Sequence, residues 1–374
     1  MNEWQPKSRD LRASQRDIDS GIYTGGRDNE KLFIERTARI LGVRSREVPA
    51  LFGAPEEKAF RINPYGFSHL SDHADQLSQV QEDLSDFAPS PISWYKNAFS
   101  FDAQDTALIQ ASSSGESGKI FIQTPSSYLP VHALLARSGQ DEGLLRVLDL
   151  CAAPGGKTAL IASETRDLPE VEIIANDAKG RRVQRMTHVL RTLHIPEQVV
   201  TISQKDGVQL LHDSRTKFDR ILVDAECSTD AGVNFSGRQG LNGWSMGRVE
   251  EATRIQKRLV TAAYDGLNDG GTMVYSTCTL SPEENESTID YLLTKRTDAI
   301  IQPMHFEGEQ TVASMRRWGK RTYPEAVSRG ILRVFPQGYM DSFCLTVVHK
   351  PTGISRVDKE LAETLNLNDA MKSH

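Results

Sequence analysis

Five short apolar runs separated by helix-length segments constrain this chain more than any other feature. They are LLRVLDL (144–150), VEIIAND (171–177), QVVTISQ (198–204), FDRILVDA (218–225) and GTMVYSTC (271–278). Helical patterns fill the gaps or come after at 179–193, 249–267 and 283–295. Strands alternating with helices of this length make βαβ units, so the expected fold class is α/β with a parallel, doubly wound sheet. KIFIQTP (119–125) and a helix around 128–137 lead into it, and ILRVFPQGYMDSFCLTVV (331–348) predicts two strands around a Pro-Gly turn as its antiparallel edge. Upstream, apolar positions from Leu32 to Leu41 predict a helix ended by Gly42, and Pro49, Pro64, Pro89 and Pro91 punctuate the stretch beyond it. The expected organisation is a mobile polar tail over 1–28, a small N-terminal α+β appendage over 29–114, the sheet domain over 115–350 and a polar tail over 351–374.

Function classes narrow quickly. No apolar run approaches the roughly 18 residues that span a bilayer, and the first residues, MNEWQPKSRD, lack a secretory core and cleavage site. An intracellular, cytoplasmic enzyme with no membrane partner is expected, as a monomer. The cysteines are scattered at 151, 227, 278 and 344 without a CxxC pair, which excludes a disulfide framework and predicts no metal site. With 44 basic and 50 acidic residues the net charge is −6, which argues against a DNA-coating protein but leaves room for a local basic groove.

VLDLCAAPGGKTALIA (147–162) is a buried strand, a small-residue loop and a helix. Such a loop lets backbone N–H groups and a helix N-terminus approach a ligand beyond the carboxyl ends of the strands. GxxxxGK[ST] fails because Cys151 stands where glycine is needed, and GxGxxG fails too, which disfavours a dinucleotide. Asp177 ends the second strand, where a carboxylate can accept hydrogen bonds from ribose hydroxyls. Asp206 follows the third strand, placed to meet an adenine amino group, and Asp224 ends the fourth. Each carboxylate alone also fits a solvated loop or a helix cap. Together beside the loop they suggest a nucleoside cofactor without a phosphate. Cys227 lies just past the fourth strand and Cys278 at the end of the fifth, so one thiolate can attack a substrate carbon while the other assists. SPEENE (281–286) predicts a helix start with Pro282 near its first position, Glu283, Glu284 and Glu286 in the first turn, and Asn285 as a brace for the loop.

With these motifs in hand, the chain resembles the Sun-domain family of S-adenosylmethionine-dependent RNA (cytosine-5) methyltransferases. The resemblance rests on DLCAAPGGKT (149–158), AND (175–177), Asp206, VDAECS (223–228), STCTLSPEENE (276–286), and RVFP (333–336) followed by DSF (341–343), with FRINP (60–64) and IFIQTPSSYLP (120–130) ahead of the loop. It covers roughly 31–350. It implies a Rossmann-like class I methyltransferase sheet, S-adenosylmethionine as cofactor, tRNA or rRNA as substrate, and an N-terminal appendage that binds RNA. It implies Cys278 as the nucleophile, Cys227 as the residue that helps release the product, and Asp224 facing the target cytosine, with Lys157 completing the catalytic set. Cys151, Ala152, Ala153, Pro154, Gly155, Gly156 and Lys157 would hold the methionine part of the cofactor, with Asp177 on the ribose, Asp206 near the adenine and Asp224 beside them.

One departure stands out. The family usually has proline before the first cysteine, and this chain has Glu226, whose carboxylate is expected to raise the Cys227 pKa. That motivates a competing reading, an RNA-binding or assembly factor with weakened catalysis. A DNA cytosine methyltransferase would place its nucleophile after proline in the fourth-strand motif, against what stands here. For RNA contact, MRRWGKRTY (315–323) offers Arg316, Arg317, Lys320 and Arg321, with Trp318 and Tyr323 interleaved for base stacking. Arg181, Arg182, Arg185 and Arg191 form a second basic cluster.

Overall fold

The computed structural model describes residues 28–67, 72–136, 143–237, 240–241, 243–307, 311–352 and 365–366. Nearly all of the two expected polar tails lies outside the described residues, as does position 137 at the end of an expected helix.

The central sheet forms where the apolar runs predict it. Its parallel strands are β5 (Leu145–Asp149), β6 (Val171–Asn176), β7 (Val200–Ser203), β8 (Phe218–Asp224) and β9 (Leu267–Thr277), in the order β9-β8-β5-β6-β7. The interior strands β5 and β8 are largely apolar on both faces because both faces are covered, whereas β7, at the edge, is partly exposed. In β5, Leu145 and Val147 enter one core and Leu148 the other, and in β8 Leu222 and the pair Ile221 and Val223 divide in the same way. Helices Leu129–Leu135, Gly156–Glu164 and Gly180–Thr192 cover the first face, and Met246–Gly266 and Glu286–Lys295 the second. The chain steps outward from β5 through β6 to β7 and then returns to β8 on the other side of β5. That reversal opens a crevice at the carboxyl ends of β5 and β8.

The C-terminal pair forms as expected, but one strand is interior. Phe343–His349 runs antiparallel against β9 from Cys344↔Thr277 to His349↔Thr272, and Ile331–Val334 and Ile300–Gln302 both pair with it. The sheet edge on this side is Thr311–Val312 instead. All seven of its residues, FCLTVVH, are buried, and pairing on both sides satisfies the backbone that an edge position would leave open.

The N-terminal region differs more from expectation. β1 (Glu57–Ile62) lies between β3 (Ala98–Asp102) and β4 (Ile120–Ile122), all antiparallel, with β2 (Ser90–Pro91) beyond β3. IFI of β4, expected to open the larger domain, therefore belongs to this small sheet. Helix Asp28–Leu41 leaves the appendage altogether: Phe33 packs on Phe52, Phe235 and Trp244 in the second core of the large sheet. Ala59, Trp94, Tyr95 and Ala98 share the first core, so the small sheet is fused to the large one. Asn63 of FRINP, fully buried, donates to the carbonyls of Gly118 and Leu193 at 2.8 Å and ties the two together.

Candidate active site

The loop after β5 turns tightly enough to start a helix at Gly156. Gly155 sits at φ +108°, a region closed to most side chains, and a Cβ there would lie 3.2 Å from the Met186 side chain. Beneath the loop, Asp149 is fully buried and accepts from Thr158 Oγ1 at 2.7 Å. Burial pushes its carboxyl up to about 7 despite that bond. Cys151 is no nucleophile: burial, and then the charges of Asp149, Asp177 and Asp224, drive its thiol far above the ordinary value. Ala152 and Ala153 are buried, and Ala153 offers its carbonyl to Arg182 Nη2 at 2.8 Å.

Asp177, 5% exposed at the end of β6, accepts from Arg182 Nε at 2.9 Å and from the Lys179 N–H at 3.0 Å. Each oxygen keeps a second acceptor position. Asp206 is exposed and caps helix Gly207–Asp213, its Oδ1 accepting from the N–H groups of Val208 and Gln209 at 3.0 Å. Its cap role holds that side chain at the third strand end with Oδ2 uncommitted to the cap. These residues suit a nucleoside with a cationic tail. Acceptors at the ends of β6 and β7 match hydroxyl and amino groups, and the carboxylates of Asp149, Asp177 and Asp224 around the loop disfavour a phosphate.

The register of β8 on β9 sets the chemistry. Asp224 is paired with Ser276, whose hydroxyl donates to Asp224 Oδ1 at 2.8 Å, while Lys157 Nζ donates to Oδ2 at 2.7 Å. Burial pulls the Lys157 pKa down, but the charge and hydrogen bond of Asp224 outweigh it and keep the ammonium. Just beyond, Cys227 Sγ lies 2.9 Å from Cys278 Sγ. Cys227 is 6% exposed and Cys278 more open. The hydrogen bond to Cys278, then burial, then the charges of Cys278 and Glu284, raise the Cys227 thiol well above its ordinary value. Both thiols line a cleft of about 340 Å³ with Ala153, Pro154, Arg182, Arg185, Asp224 and Glu226.

The direction expected for Cys227 is therefore found, with a different cause. Glu226 is not a leading cause; its carboxylate is bound by Lys179 Nζ at 2.6 and 2.8 Å and lies 3.6 Å from Arg182. Burial raises the Glu226 pKa less than Lys179, Arg182 and Arg248 lower it.

SPEENE is a turn before it is a helix. The helix begins at Glu286, so Pro282 is not its first residue and Glu283 and Glu284 precede it. Glu283 binds Arg36 at 2.7 Å and Trp318 Nε1 at 2.9 Å, Glu284 accepts from the Ser228 N–H at 3.0 Å and Gln256 Nε2 at 2.8 Å, and Glu286 takes Arg333 with both oxygens at 2.9 Å. Asn285 braces the loop: it accepts from Thr277 Oγ1 at 2.8 Å and donates to the carbonyls of Thr279 and Ser281.

The basic segment divides. Arg316, Arg317, Lys320 and Arg321 are exposed around the two-residue ladder of Arg317–Trp318 with Arg321–Thr322. Trp318 is a correction, being 5% exposed and covered by the guanidinium groups of Arg36 and Arg39 at 5.1 and 4.7 Å from its ring centre. It anchors the hairpin and offers no face to a base, and Tyr323 is buried on Ser287. Arg181 is exposed, whereas Arg182 is engaged by Asp177 and Ala153. Sequence reading missed Asp149, Ser276, Glu284 and Gln256 as parts of the site. The first three lie inside the recognisable motifs, but Gln256 sits in mid-helix with nothing to mark it. Among the described residues no cluster of His, Cys, Asp or Glu has a metal-holding arrangement, and no helix is long and apolar enough to cross a membrane.

Known proteins carry the same arrangement of sequence and fold. Residues 134–345 match the family described as 16S rRNA methyltransferase RsmB/F. A tRNA (cytosine(49)-C(5))-methyltransferase of Pyrococcus abyssi is 33% identical over 328 residues, 86% of this chain and 96% of that protein. Ribosomal RNA small subunit methyltransferase F of Cronobacter sakazakii is 30% identical over 315 residues, and that of Escherichia coli O157:H7 36% over 269. The matches take in 82% and 67% of this chain but 60% and 49% of those two relatives. In fold, a methyltransferase homolog from Pyrococcus horikoshii superposes with TM-score 0.67 at 24% identity, covering 92% of this chain and all of the other. NSun6 from Pyrococcus horikoshii, solved with SFG, gives 0.64 at 18% identity over 85% of this chain and 97% of the other.

Proposed function

The chain belongs to the 16S rRNA methyltransferase RsmB/F family, and we propose that, as an S-adenosylmethionine-dependent RNA cytosine-5 methyltransferase, it works on tRNA or rRNA through a covalent bond from Cys278 to the target base. The observation that carries this reading is the thiol pair at the ends of adjacent strands, 2.9 Å apart, beside the Lys157–Asp224–Ser276 group. S-adenosylmethionine supplies the methyl group as an electrophile on sulfonium sulfur; Asp177 and the 151–157 loop would hold it, with Asp206 beside the adenine.

Cytosine C5 is too weak a nucleophile to take that group unaided. Cys278, the more accessible sulfur, gives its proton to solvent and adds as the thiolate at C6; the C5=C6 double bond opens and leaves C5 enamine-like and able to attack. Asp224 accepts from the exocyclic amine, and the Lys157 ammonium stands next to the charge that develops on the ring. Cys227 keeps its proton at first, chiefly because Cys278 is beside it. Once Cys278 is bonded to the base that cause is gone, so Cys227 can release its proton to solvent and, as the thiolate, take the C5 proton; the C5–H electron pair re-forms the C5=C6 bond and the Cys278 sulfur leaves as thiolate. The base must enter the cleft unpaired or flipped from its stack. The exposed hairpin cations Arg316, Arg317, Lys320 and Arg321, with Arg181, supply phosphate contacts despite the negative net charge.

Bisulfite sequencing of tRNA and rRNA from cells with and without the gene tests the activity and identifies the RNA. Loss of a 5-methylcytosine in one class is expected, whereas unchanged methylation in both favours the assembly-factor reading. With purified protein, Cys278→Ala should abolish methyl transfer while cofactor binding survives; full activity would refute its role.

A further inference from the structure

One group at the cleft mouth has no part in the chemistry above. Lys179 follows β6 and Glu226 follows β8, and β5 lies between those strands. Their ion pair therefore reaches across the loop that leaves β5, over the side where the cofactor belongs. Arg182 ties it down, contacting Glu226 at 3.6 Å, Asp177 at 2.9 Å and the Ala153 carbonyl at 2.8 Å. The backbone around Cys227 is held from behind as well: Gln256 donates to the Glu226 carbonyl at 3.1 Å, and the Ser228 N–H donates to Glu284 at 3.0 Å. The charged groups that act most strongly on the Glu226 carboxylate, Lys179, Arg182 and Arg248, are cations.

We propose that Glu226 is a positioning residue for Cys227: its ion-pair bridge to Lys179 and Arg182 fixes the loop after β8 so that Cys227 stays in reach of C5, the task a ring-restricted residue would perform at that position. This rests on the reading that Cys227 serves product release. The bridge is half exposed, with side chains 60% and 56% accessible, so its effect is modest and belongs to one step. Cys278 is carried by β9 and does not depend on it. Adduct formation and methyl transfer should proceed normally when the bridge is cut, and elimination should slow.

The test uses the full-length protein, total RNA from cells lacking the gene, and labelled S-adenosylmethionine, with E226A, K179A, the double variant, K179R and C227A compared. Three quantities are read: single-turnover methyl transfer, steady-state turnover, and denaturant-resistant protein–RNA adduct. Turnover should fall about twofold to fivefold in E226A and somewhat less in K179A. Adduct should rise in both, with the single-turnover rate unchanged. The double variant should be no worse than E226A, since the two residues act as one unit, and K179R should behave as wild type. Unchanged turnover in the single variants, losses that multiply in the double variant, or a matching drop in single-turnover rate would each overturn the inference. No adduct from C227A would overturn the release role of Cys227 and the inference with it. Adduct from C227A but none from E226A overturns the inference alone.

Discussion

Asp177 shows how much a single side chain can settle at the cofactor site. It is nearly inaccessible, and Arg182 and the Lys179 N–H occupy one acceptor position on each oxygen. A ribose hydroxyl deprived of the remaining ones loses about 1–3 kcal/mol, or roughly tenfold to a hundredfold in affinity. Calorimetric titration of Asp177→Ala with S-adenosylmethionine should show that loss; an unchanged affinity would mean the carboxylate serves only to hold Arg182. Residues of this kind are legible in sequence, because a carboxylate or thiol that closes an apolar strand has its position fixed by the strand itself. Their partners are not. Glu226 and Lys179 are 47 residues apart, and nothing in either segment shows that the two meet. Trp318 misleads for a related reason: among four cations it looks like a stacking platform, and only the packing of Arg36 and Arg39 from a distant helix reveals an anchor.

The turn from Thr277 to Asn285 is the element that presents Cys278, the proposed nucleophile, and its glutamates, with Glu286 just beyond, hold it from different sides. Burial pushes the Glu284 carboxyl from its ordinary 4.5 up to about 7, so folding favours the neutral form. The stability this group contributes is complete below about 4.5 and is lost as pH rises through about 7. Glu284→Gln should remove that part of the dependence, and melting temperatures followed from pH 4.5 to 7 for both proteins check it; parallel curves would refute the assignment. Glu286 and Arg333 are fully buried and doubly hydrogen-bonded, which makes Arg333→Ala costly, about 3–5 kcal/mol, since it strands a carboxylate in the core. Denaturant titration giving less than about 1 kcal/mol would contradict that. The sequence placed a helix start at Pro282 because proline and acids favour a first turn. The Arg36 ion pair of Glu283 and the hydrogen bonds of Glu284 to Ser228 and Gln256 hold those two acids in a separate turn ahead of the helix, partners that no local pattern encodes.

Across the whole molecule, the doubly wound sheet follows from the spacing of apolar runs, whereas the joining of the N-terminal region does not. IFI has the same character in either sheet, and only its pairing with Phe60, Arg61 and Ile62 decides. The face proposed to meet RNA is likewise a property of the assembled molecule. Replacing Arg316, Arg317, Lys320 and Arg321 together should weaken RNA binding and flatten the slope of log K against log salt, with little change in melting temperature. Trp318→Ala should do the reverse, and an unaltered slope in the fourfold variant would return the hairpin to an ordinary solvated surface. The placement of Phe343–His349 between β9 and Ile331–Val334 bears on how the enzyme is made. The strand that ends at the nucleophile remains an open edge until 71 further residues, from 278 to 349, have left the ribosome, roughly 4–14 s at ordinary synthesis rates. During that interval the nascent chain displays unpaired backbone along a strand whose last seven residues, 271–277, are buried in the finished sheet. Its exposure to misassembly is greatest just before the last interior strand closes the sheet.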